Sequence, residues 1–182
     1  MKLLIVLFYI LINFYPFYPA YASRSSDSYD GNIFPIYAGN GSLVPPQTTL
    51  REAINNKRTT ILFFYLDDSS ASKALAPAIS GLDLIWRNSI DIIALTTDEL
   101  QNKKQEDPKE ANFYWNGFIP QTLVLDGEGK VMYDKNGPID IDQINKIISD
   151  IKGIDYEESS FSIESFNEYN SAISKNSGLK KK

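Results

Sequence analysis

Ser69, Ser72 and Lys73 are the residues whose types and spacing come nearest to chemistry in this 182-residue chain. Within Asp67-Asp68-Ser69-Ser70-Ala71-Ser72-Lys73, two hydroxyls lie three residues apart and an amine follows at once. A nucleophilic serine needs a base to take its proton. The chain has no His, the commonest base at neutral pH, so only Lys73 or an acid is available. Lys73 is expected to project into solvent one turn along, which leaves a Ser–Lys hydrolase built on Ser69 and Lys73 as the weaker reading. The plainer one is that Asp67, Asp68, Ser69 and Ser70 cap a helix, because short polar side chains accept hydrogen bonds from the first helical amides. The chain also has no Cys, which excludes thiol–disulfide exchange. Asp126-Gly127-Glu128 and Asp134 to Gly137 lack the ligand series of a calcium loop and read as turns. No catalytic residue, metal or cofactor is expected.

These residues need elements to hold them. Thr59 to Leu66 is a nearly continuous apolar run, as a central strand buried on both faces requires. A helix follows from about Ser69 to Asn88, with Leu75, Ile79, Leu82 and Ile85 or Trp86 as its buried stripe and Pro77 interrupting its ladder. Ile90 to Leu95 and Gln121 to Leu125 are two more strands. The turn Asp126-Gly127-Glu128-Gly129 then reverses into Lys130 to Tyr133 as a hairpin. Thr49 and Glu52 form a capping box that opens a short helix through Asn56. Asp107-Pro108 can open another. Ile141, Ile144, Ile147, Ile148 and Ile151 fall on one face of a last helix, about Asp140 to Lys152. This alternation implies an α/β domain, a central mixed β-sheet flanked by helices.

The ends differ in character. Residues 1–22 are a basic start, an apolar run and Ala20-Tyr21-Ala22, the layout of a cleaved signal peptide. Leu3 to Ala22 is also about the ~20 residues that a membrane anchor needs. Pro16 and Pro19 favour cleavage. Either fate exports the body. Residues 23–47, rich in Ser, Gly, Asn and Pro, read as a linker with room for one short strand. The domain covers 48–153, and 154–182 is a polar tail expected to be mobile. The formal charge of −5 argues against nucleic acid as a partner.

The strand, turn and helix from Ile61 to Pro77 resemble the active-site segment of thioredoxins, with Ser69 and Ser72 where that family has its two cysteines. Gly117-Phe118-Ile119-Pro120-Gln121-Thr122 resembles the family's segment that ends in a cis proline and enters a strand. The resemblance implies a single thioredoxin-like domain, redox-inactive, whose peptide-binding groups lie beside the degenerate positions Ser69 and Ser72. Client contacts are then expected at Tyr65, Asp68, Ile119, Pro120, Gln121 and Trp115. Tyr65, Phe113, Tyr114, Trp115 and Phe118 form a candidate aromatic collar, in which Tyr114 and Trp115 are the residues expected to be exposed. Leu43-Val44-Pro45-Pro46, Ile61 to Ser69, Phe118 to Thr122 and Asp126 to Lys130 together resemble the cyanobacterial and plastid group of thylakoid membrane photosystem I accumulation factors. That resemblance implies a lumenal, non-catalytic assembly factor or chaperone whose partners are photosystem I subunits or their assembly intermediates. A stable structural subunit of a membrane complex is the remaining alternative.

Overall fold

The computed structural model describes residues 23–100 and 106–154. The expectations for the leader and for residues 155–182 therefore lie outside the described residues.

Thr60–Tyr65 forms β1, and all six of its residues are buried. They are buried because β1 is an interior strand of a sheet ordered β2-β1-β3-β4. β2, Asp91–Thr96, runs parallel to it, and β3, Gln121–Leu125, runs antiparallel on its other side. β4, Val131–Asn136, closes the hairpin with β3 and is exposed apart from Tyr133. Its turn depends on Gly127, where a Cβ would stand 2.6 Å from the Lys57 carbonyl oxygen.

Side chains alternate across β1 and so feed two cores. Ile61, Phe63 and Tyr65 face one layer, with α2 (Ser70–Trp86) and α3 (Ile141–Lys152). Leu62 and Phe64 face the other, where α1 (Leu50–Asn55) packs. The helix starts follow the sequence: the Thr49/Glu52 capping box is formed, and Asp140 caps α3 by accepting from the Gln143 amide. A βαβ unit, a β-hairpin and a closing helix around this mixed sheet make a thioredoxin-like α/β domain. The third helix suggested by Asp107-Pro108 is only a 3-10 turn, Ala111–Tyr114.

The largest departure is at residues 23–47. Instead of a linker with a short strand, Phe34–Ala38 forms a π-helical turn, and Ile33, Phe34 and Ala38 lie in the core against α2. The Phe34 ring meets Phe63 and Tyr65 edge-on, at 6.0 and 5.5 Å between centroids. Its buried apolar residues Ile33, Phe34, Ala38 and Leu43 stand among Gly, Ser and Pro at no regular spacing, so no periodicity announces it. Phe34→Ala is expected to cost about 3–5 kcal/mol, the loss for a core phenylalanine. Urea denaturation measures it; a linker residue would change stability by no more than about 0.5 kcal/mol.

Candidate functional site

The strand register gathers the predicted site at one end of the sheet. Tyr65 pairs with Thr96, and Phe64 pairs with Gln121. The turn into α2, the turn after β2 and the entry to β3 therefore share that end. Ser69 is the N-cap of α2, its hydroxyl accepting from the Ser72 amide at 3.3 Å. Ser72 is fully buried, and its hydroxyl accepts from the Leu66 amide at 3.3 Å. Both serines are thus occupied as capping and turn groups. The Ile119–Pro120 peptide is cis, as the resemblance implied. The Pro120 carbonyl accepts from the Gly137 amide at 2.8 Å. Among the described residues, no hydrogen bond engages the Ile119 amide or carbonyl.

Lys73 does not project into solvent. Its side chain has no exposure, and Nζ donates to the carbonyls of Ser28 (2.6 Å), Ser26 (3.0 Å) and Ser23 (3.4 Å) and to Asp30 Oδ2 (2.7 Å). The Tyr37 ring lies 5.4 Å from the ammonium, and its hydroxyl donates to Asp30 at 2.6 Å. A buried ammonium has three N–H donors to satisfy, and these four oxygens share them, the Ser23 carbonyl at the longest distance. The strap supplies the oxygens because the ammonium emerges from the first turns of α2, where the strap crosses. No partner of Nζ is a serine hydroxyl, so Lys73 is not placed to serve Ser69 as a base.

The strap binds the start of α2 at further points. Asp27 accepts from the Ser70 amide at 2.8 Å, and Asp67 accepts from the Ile33 amide at 2.9 Å. The Ser70 amide holds the Asp27 carboxyl below its usual range. Burial pushes Asp67 up, with Asp68 and Asp98 adding to the rise and the Ile33 amide opposing it.

Of the expected client contacts, Asp68 is exposed, and Ile119 and Trp115 are half-buried. Tyr65 is not on the surface. It is fully buried, stacked on Phe63 at 5.5 Å, and its hydroxyl accepts from the Asn32 side-chain amide at 3.2 Å. Burial pushes its phenol up to about 12. Pro120 and Gln121 are buried too. The Gln121 side chain accepts from the Asn116 amide and donates to the Tyr114 carbonyl and to Asp134, so it holds the approach to the cis bond from beneath. The collar is ordered opposite to expectation. Phe118 is 66% exposed and Phe113 41%, whereas Tyr114 packs into a core and donates to the Pro108 and Gly129 carbonyls. Sequence reasoning gave no role to Asp27, Asp30 and Tyr37; their spacing carries no motif, and only the burial of Lys73 singles them out. Among the described residues, no His, Cys, Asp and Glu side chains are grouped to hold a metal ion.

No family model matches the chain. It is 35% identical over 154 residues to thylakoid membrane protein slr1796 of Synechocystis sp. (strain ATCC 27184 / PCC 6803 / Kazusa), covering 84% of this chain and 77% of that protein. Among solved structures it matches a mutant thioredoxin from Halobacterium salinarum NRC-1, at 17% identity and TM-score 0.42, over 56% of this chain and 81% of that one. It also matches mitochondrial thioredoxin 3 of Saccharomyces cerevisiae, at 17% identity and TM-score 0.41, over 55% and 85%. At those scores the fold rests on strand order and element sequence rather than on superposition.

The Lys73 cage has a pH signature. The Lys73 ammonium and then the Tyr37 hydroxyl hold the Asp30 carboxyl at about 2, against burial. Burial pulls Lys73 down, but Asp30 and Tyr37 more than offset it, and its net direction is up. A depressed carboxyl stabilises the fold above its unfolded value of 3.8, and that contribution disappears as pH falls through about 2. A raised lysine stabilises below its unfolded value of 10.5 and loses that contribution as pH rises through the folded value. In urea melts across pH, Asp30→Asn is expected to be less stable than the wild type by a constant margin at neutral pH. The margin should shrink between about pH 4 and pH 2.

Proposed function

The chain belongs to the family of the Synechocystis thylakoid membrane protein, and from that premise we propose that it is a redox-inactive assembly factor. It acts without catalysis at the lumenal side of the thylakoid membrane, where it holds photosystem I subunits or their assembly intermediates as clients. The observation that carries this reading is the cis Ile119–Pro120 edge. Its geometry is kept, and the Ile119 backbone groups are without partners among the described residues, yet both exchange positions hold serine. An extended client segment pairs with such backbone groups by strand addition.

Burial divides the expected contacts into two kinds. Ile119 offers the backbone, while Asp68 and Trp115 flank it as accessible side chains. Tyr65, Pro120 and Gln121 support the edge from within. The relative's name supports a thylakoid location, and the exported-type leader supports the lumenal side.

Two experiments test the proposal. A fluorophosphonate probe, which labels activated serines, is expected to leave Ser69 and Ser72 unlabelled; labelling abolished by Ser69→Ala would restore the hydrolase reading. Tagged protein pulled down from native thylakoid membranes is expected to enrich immature photosystem I subunits, and Ile119→Asp is expected to reduce their recovery at least several-fold. Equal recovery with Ile119→Asp would exclude this edge, and recovery of unrelated proteins would exclude the client.

A further inference from the structure

The end of the sheet away from the cis-proline edge carries a cavity. β2 begins there at Asp91, and α2 ends there at Trp86. Between them and the close of the strap lies a space of about 620 Å³, whose wall includes Arg58, Asp83, Arg87, Asn88, Asp91 and Ile92. Arg58 and Asp91 neutralise each other at 2.9 Å.

Asp83 and Arg87 stand four positions apart at the close of α2, the spacing at which opposite charges on a helix pair. Among the described residues, no ion pair joins them to each other or to anything else. The reason lies in the backbone. Arg87 has a φ of 44°, in the left-handed region, so its side chain leaves the line of the helix. Its Nε donates to the Leu84 carbonyl at 3.3 Å, and neither terminal nitrogen donates to a described residue. Asp83 Oδ2 accepts from the Asn40 side-chain amide at 3.0 Å, and its Oδ1 accepts from no described residue. Glycine would hold this backbone without strain, whereas arginine keeps a guanidinium on the cavity at the cost of strain.

The sheet edge adds two more groups. The Asp91 amide donates to the Thr59 carbonyl at 2.9 Å, so the ladder turns the amide and carbonyl of Ile92 outward, away from β1. Neither is hydrogen-bonded among the described residues, although Ile92 is only 8% exposed. The cavity wall thus offers a cation, an anion, a main-chain donor and a main-chain acceptor, all with capacity to spare. An anion alone would be repelled by Asp83, and a cation alone by Arg87. A ligand carrying both signs is attracted by each.

We propose that this cavity binds a zwitterionic α-amino acid, with its carboxylate on the Arg87 guanidinium and its ammonium on Asp83. The ligand takes the place of the ion pair that the two residues do not make. The twin N–H groups of a guanidinium match a carboxylate, and the Ile92 amide and carbonyl add a donor and an acceptor of the same kinds. The site lies at the other end of the sheet from the client edge, and the inference does not rest on the client reading.

L-Alanine is the probe, and propionate and ethylamine are its two halves, each lacking one charge. Titration calorimetry on the full chain in detergent is expected to show L-alanine binding at least ~10-fold more tightly than either half, the ratio that one charged contact supplies. Asp83→Asn can still accept from Asn40, so it keeps the fold. It is expected to bring L-alanine down to the affinity of propionate and to leave propionate unweakened. Arg87→Gly relieves the left-handed backbone, so it is expected to melt no lower than the wild type and yet to lose L-alanine. Ile119→Asp, at the client edge, is expected to bind L-alanine as the wild type does. Equal affinity for L-alanine and propionate would overturn the proposal in favour of a plain anion site. So would no measurable binding of L-alanine, binding that survives Arg87→Gly, or binding that Ile119→Asp abolishes.

Discussion

A charged amine without access to water has to find all of its partners in the protein, and Lys73 imposes that requirement on this fold. Three main-chain carbonyls and one carboxylate converge on Nζ, all of them from residues 23–30. Carbonyls can point at one atom only if the chain curls around it, so the ammonium dictates the path of the strap. That path delivers Asp27 to the Ser70 amide and the Ile33 amide to Asp67, and it carries Phe34 onto Phe63 and Tyr65. Removing one partner of such an arrangement leaves the others buried and unsatisfied, and the damage is larger than any single bond would suggest.

The strap also changes what the start of α2 can do. In a dithiol enzyme the amides at a helix N-terminus help to hold a thiolate. Here the Ser70 amide is taken by Asp27 and the Ser72 amide by Ser69, so an internal carboxylate and a capping hydroxyl occupy the positive end of the helix. Ser69 and Ser72 therefore belong to a filled site rather than an idle one.

The sequence is legible where physics is local and periodic. The double-sided burial of β1 follows from its apolar run, the start of α1 from Thr49 and Glu52, and the buried face of α3 from its isoleucines. The cis bond at Pro120 was legible only through resemblance. Long-range polar contacts were not legible at all. Lys73 one turn into a helix looks like an ordinary surface lysine, and its partners lie more than forty positions earlier, in a segment of linker-like composition. Tyr65 is hidden for a related reason: at the end of a strand it would be exposed in the bare domain, and it is the strap that covers it through Phe34 and Asn32.

One end of the sheet thus has two unlike halves. On the α2 side the amides and the ammonium are consumed within the chain, so a ligand would have to displace the strap and leave Lys73 without partners. On the β3 side the Ile119 backbone is unengaged among the described residues and the Phe118 ring is largely exposed. Gln121 stiffens that second half through contacts to residues 114, 116 and 134, so the approach to the cis bond is held in shape before anything binds. Preorganised backbone next to exposed aromatic surface lowers the ordering cost of association. Of the two halves, only the cis-proline one has unengaged backbone to offer without displacing the strap, the reverse of a dithiol enzyme, whose chemistry is centred on the helix.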